Sequence, residues 1–134
     1  MPHRALRLRP GDDLRGGLEA VVAERGLRAA WVVTCVGSLT DVHVRRADQP
    51  DGTRLAGRYE IVSLAGTLSA TGGSHLHLAV ADERGRVVGG HVLPGGNLVY
   101  TTAEVVIGYE EDLAFAREVD PETGFRELVI RPRS

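Results

Sequence analysis

Apolar residues recur along this chain at two spacings, and the spacing changes where glycine and proline intervene. Over residues 5–9 they alternate, Leu6 and Leu8 against Arg7 and Arg9, which predicts a short first strand with one buried face. Pro10-Gly11 breaks it. Leu14, Leu18, Val21 and Val22 then fall at i, i+4, i+7 and i+8, one stripe of an amphipathic helix. Asp12 or Asp13 precedes the stripe and can cap it, because a carboxylate oxygen accepts the free amide hydrogens of a first helical turn. Gly26 suits the end, since glycine takes the left-handed conformation without strain. Gly16-Gly17 inside the stripe weaken the helix by about 1 kcal/mol each relative to alanine and leave room for a sheet to approach.

Past Gly26 the helical spacing disappears. Residues 29–36 form a continuous apolar run, the pattern of a strand buried on both faces, which Gly37-Ser38 is expected to end. Residues 40–44 alternate again, and Asp48, Pro50, Asp51 and Gly52 make a turn of residues 47–53. Further strands are expected over 57–64, 66–70 and 74–81. Asp82-Glu83-Arg84-Gly85 turns tightly into 86–88 and 90–93, so the segments on either side pair antiparallel. After Pro94-Gly95-Gly96-Asn97, residues 98–108 read as one long strand. Glu110-Glu111-Asp112 reads as solvated surface, 120–124 as a turn, 125–130 as a last strand and 131–134 as a loose tail. One helix and about eight short strands, without linker or long-period repeat, predict a single α+β domain over residues 1–134, a mostly antiparallel sheet or open barrel.

Composition narrows the function classes. A net charge of −2 provides no electrostatic footprint for a nucleic-acid binder. All sixteen basic residues are arginine, so Schiff-base chemistry through a lysine amine is excluded. Cys35 is the single cysteine, which rules out an internal disulfide and a cysteine-cluster metal site; within Trp31-Val32-Val33-Thr34-Cys35-Val36 it reads as a small buried residue. The N-terminus lacks an apolar leader and no stretch approaches membrane-spanning length, so a cytoplasmic protein with no membrane partner is expected. Neither a Walker A sequence nor a G-x-S-x-G elbow is present, and Arg84-Gly85-Arg86 reads as a charged hairpin turn.

The candidate chemistry lies in Gly72-Gly73-Ser74-His75-Leu76-His77 and in Gly89-Gly90-His91. Side chains alternate along a strand, so His75 and His77 share one face. With the turn centred on residue 84, His77 and His91 lie equally far from it and should face each other, Cβ atoms about 4.5–5.5 Å apart. Three imidazoles with an open fourth position are the donor set of catalytic zinc sites. Spacing alone leaves two readings, a site for zinc or another divalent metal and a set of polar residues lining a wet groove. His3 and His43 have no such company and read as surface or strand-filling residues. Glu60 and Glu104 interrupt apolar strand segments and are candidate proton carriers, and Arg58 is a candidate to hold an anionic substrate or pair with an acid.

Taken in order, Gly37-Ser38-Leu39, Gly57-Arg58-Tyr59-Glu60-Ile61-Val62-Ser63-Leu64-Ala65-Gly66, His75-Leu76-His77, Gly89-Gly90-His91 and Thr102-Ala103-Glu104-Val105 resemble the PPC ("plants and prokaryotes conserved") domain family. The resemblance implies an antiparallel sheet with a helix packed on it, assembled as a homotrimer, and a fold similar to that of acetolactate decarboxylase. It further implies a DNA-associated regulatory module of the stand-alone prokaryotic type, with zinc held by histidines matching His75, His77 and His91. This chain departs from the plant pattern in having no AT-hook and no basic arm, so a partner protein or small-molecule ligand is expected before DNA itself. The alternative is a zinc-dependent lyase or hydrolase acting on a small carbonyl or carboxylate substrate.

Overall fold

A computed structural model describes residues 2–134. The first strand, β1 (His3–Leu8), leads into α1 (Leu14–Arg25), where Asp13 Oδ2 accepts the Gly16 amide at 2.8 Å and Gly26, at φ 63°, closes the other end. The predicted stripe is the buried face: Leu14, Leu18 and Val22 are all at most 1% exposed. The helix lies against one sheet of order β1-β6-β2-β3-β4-β5, formed by β2 (Ala30–Arg45), β3 (Thr53–Leu68), β4 (His75–Ala81), β5 (Val87–Val92) and β6 (Leu98–Tyr109). All pairings are antiparallel. β5 returns to β2 through Val44↔Val92 and Arg45↔His91, which curls the sheet into an open barrel. Leu39, Val42, Val44, Leu76, Leu78, Val80, Val105 and Ile107 fill its interior with the helix stripe. The α+β architecture, with one helix and eight strands among the described residues, matches the expectation.

Several boundaries differ from those the local pattern predicts. Gly37-Ser38 does not end a strand; β2 runs through it and shifts register between Gly37 and Leu39. A Cβ on Gly37 would lie 2.2 Å from the Thr102 carbonyl oxygen, so this glycine serves the close approach of β6 rather than a stop. In the same way residues 57–70 are not two strands, because β3 continues through Gly66 to Leu68. The apolar run at 29–36 is not buried on both faces: Val33 is 50% and Val36 63% exposed, since no second layer of this chain covers that side.

The C-terminal part contains a second sheet, the ribbon of β7 (Leu113–Val119) and β8 (Arg126–Pro132). β7 carries only a weak alternation and was not expected; it forms because the turn at 120–124 folds it against β8. Nor are residues 131–134 a loose tail. Arg131 and Pro132 belong to β8, the Arg133 amide donates to the Asp112 carbonyl at 2.8 Å, and its guanidinium donates to the Gly26 carbonyl at 2.9 Å.

Candidate metal centre

The register of the β4–β5 hairpin follows from its turn. Asp82 Oδ1 accepts the amides of Arg84 and Arg86, each at 2.9 Å, and Gly85 takes φ 77°, so the strands leave in one fixed alignment. That alignment sets His77 directly opposite His91. Leu76, Leu78 and Val80 occupy the core face of β4, which sends His75 and His77 to its outer face. A neighbouring constraint holds the other edge. Gly66 of β3, at φ 139°, sits so close to β4 that a Cβ there would be 1.9 Å from the His75 carbonyl oxygen.

The three imidazoles converge. Ring centroids are 5.0 Å apart for His75–His77, 5.2 Å for His75–His91 and 5.9 Å for His77–His91. One nitrogen from each ring lies within 4.8 Å of the other two. Tetrahedral zinc with Zn–N bonds of about 2.0–2.1 Å needs nitrogens about 3.4 Å apart, a difference within reach of ring rotation. The surroundings also keep two of the rings unprotonated. Partial burial pushes the His91 imidazole down to about 4, helped by the field of Arg45, by the two other histidines and by Arg15. His75 is lowered for the same first reason, then by Arg117 and His77, with Glu127 opposing. Both rings are therefore neutral at pH 7 and offer lone pairs rather than protons, the form a metal requires. The donor set fits a divalent ion of zinc type.

The other candidate residues stand apart from this cluster. Glu60 faces Ala81, four residues along β4 from His77 and so about 13 Å away along the strand. It lines a separate cavity of about 300 Å³ with Ser38, Tyr59 and Tyr100, where the Arg58 guanidinium stacks 4.1 Å from the Tyr100 ring centroid. Glu104 lies on β6 and accepts a hydrogen bond from Thr102 Oγ1, which accepts one from Arg7. His43 is a strand-filling residue, as expected; its Nδ1 lies 2.9 Å from the Gly95 carbonyl oxygen and its amide donates to the buried Asn97. Cys35 packs against the core, and burial pushes its thiol up to about 11.

Arg45, Arg117 and Glu127 were not legible as part of the site. Arg45 reaches His91 through the β2–β5 pairing, 46 positions apart in sequence, and the ribbon brings the other two. No local spacing encodes either contact.

Known proteins share this fold. A solved hypothetical protein from Salmonella cholerae-suis has a TM-score of 0.95 and 47% identity, covering 99% of this chain and 95% of that one. A metal-containing protein from Archaeoglobus fulgidus has a TM-score of 0.80 and 26% identity, covering 96% and 94%. The chain is also 46% identical over 127 residues to the bifunctional protein GlmU of a Synechococcus strain, covering 95% of this chain. It spans only 20% of the length of the curated Synechococcus relatives it matches. The model of the Plants and Prokaryotes Conserved (PCC) domain matches residues 2–110, everything up to the ribbon, and the chain belongs to that family.

Proposed function

We propose that this chain is a metal-binding PCC module, a homotrimer in the cytoplasm, with zinc held by His75, His77 and His91. The observation that carries the reading is the convergence of one nitrogen from each histidine within 4.8 Å of the others. The printed description of the Archaeoglobus protein as metal-containing supports it at 26% identity. Trimerisation rests on the family, and the exposed Val33, Val36 and Val62 supply apolar surface for copies to bury. A net charge of −2 leaves little for phosphate contacts, so a DNA-associated regulatory role would run through partner proteins.

A second reading, a zinc-dependent lyase or hydrolase acting on a small carbonyl or carboxylate substrate, is favoured by the cavity beside the histidines. Zinc would supply Lewis acidity there. The chain's own part would be three imidazole donors, an open position, and proton transfer by an acid other than Glu60 or Glu104, which stand apart from the cluster. Glu127, whose charge acts on His75, and Asp48, which lines the cavity, are the carboxylates to consider.

Metal analysis of the purified chain tests the leading reading. Wild type should carry one zinc per chain and His77→Ala close to none, with both running as trimers in light scattering. Equal metal content in the two proteins would overturn the site.

A further inference from the structure

The cavity beside the histidines has a wall that the metal does not need. It encloses about 400 Å³ between the outer face of β4–β5 and the loop after β2, and is lined by Arg45, Arg46, Asp48, His77 and His91. Arg45 stands opposite His91 in the β2–β5 register, so their side chains are cross-strand neighbours. Other arginines around the site are engaged. Arg15 donates to the Val92 carbonyl at 2.7 Å and lies 3.4 Å from Glu19, and Arg117 donates to the Arg126 carbonyl at 2.8 Å. Among the described residues, the guanidinium groups of Arg45 and Arg46 have no hydrogen bond and no ion pair.

A free guanidinium on an open surface is simply hydrated. These two instead line a cavity with His77 and His91, and a divalent ion held by imidazole ligands keeps its full charge. Asp48 is the single carboxylate in the lining to set against the ion and both arginines. The local balance is strongly positive, and an anion entering it is attracted by both walls at once. A guanidinium fork matches two oxygens of one carboxylate. The volume lies near the lower end for ligand pockets, which suits a molecule of a few heavy atoms rather than a nucleotide or a polymer.

We propose that Arg45, with Arg46 beside it, anchors a small carboxylate ligand in the cavity adjoining His75, His77 and His91. The inference rests on the metal reading of the histidines and adds to it a ligand class and the residues that select it.

The test uses the full chain loaded with cobalt(II) and titrated with oxalate, with inorganic phosphate in parallel, followed by the visible absorption of the bound cobalt. Oxalate should change the cobalt bands saturably, and Arg45→Gln should weaken oxalate at least tenfold while retaining one cobalt per chain. Equal oxalate affinity in wild type and Arg45→Gln, or tighter binding of phosphate than of oxalate, would overturn the proposal. If wild type retains no more cobalt than His77→Ala, it is the metal reading that fails. Oxalate-induced amide shifts at Gly89 and Gly90 of the metal-free chain then decide: shifts lost in Arg45→Gln support the anion site, and no shifts in wild type overturn it.

Discussion

Two polar hollows on the surface, one around Arg58 and one beside the histidines, differ in how their charges are spent. Around Arg58, Glu60 and Tyr100 the polar groups largely satisfy one another. Arg58 stacks on Tyr100, Ser38 and Thr101 hydroxyls lie 2.9 Å apart, and Asp82 holds the amide and guanidinium of Arg86. Around the histidines, among the described residues, the guanidinium groups of Arg45 and Arg46 make no hydrogen bond or ion pair, and Asp48 is the one carboxylate lining the hollow. A hollow satisfied from within reads as structure, whereas one whose groups lack mutual partners is built for something brought from outside.

The largest test of that contrast is Gly66→Ala. The added methyl would meet backbone rather than a movable side chain, and the backbone angle there disfavours any side chain. A loss of about 2–3 kcal/mol in denaturant unfolding is expected, together with weaker metal binding as β4 shifts. Unchanged stability with unchanged metal affinity would mean that the β3–β4 contact does not hold the histidines.

A smaller effect concerns pH. The folded pKa of His91 is depressed below its unfolded value, so between about 6.5 and about 4 the unfolded chain binds more protons. Stability of the metal-free chain should therefore fall as pH drops through that window, and His91→Gln should flatten the fall. Imidazole NMR titration checks the cause directly. Arg45→Gln should raise the His91 pKa by removing the nearest positive field, while burial, the larger cause, remains.

Tyr100→Leu should have the least effect. It removes the ring under Arg58 and is expected to cost about 0.5–1 kcal/mol, with zinc content untouched. The same holds for metal content in Glu60→Gln. A loss of zinc in either variant would join the two hollows and break the comparison.

The contrast also marks what the chain reveals when read as a string. The helix was legible because its stripe, its Asp13 cap and its Gly26 stop are all local. The His77–His91 pairing was legible because a tight turn copies its own centre into the strand register. Glycines misled where their purpose was distant: Gly37 looks like a stop and Gly66 like the start of a new strand, but they are contact points for Thr102 and His75 in space. The run at 29–36 looked doubly buried because hydrophobicity alone does not say whether a second layer exists, and within this chain Val33 and Val36 have none.

By itself, then, the sequence determined what short-range physics controls: the helix and its ends, the alternation that puts leucines inward and histidines outward on β4, and the turn that pairs two of the three ligands. Tertiary structure decided what arrives from far along the chain. Closure of β5 onto β2 brings Arg45 to His91, and the ribbon brings Arg117 and Glu127 towards His75. The physical reason is that strand pairing between distant segments is chosen by the whole barrel's packing, not by any spacing written in the segments themselves.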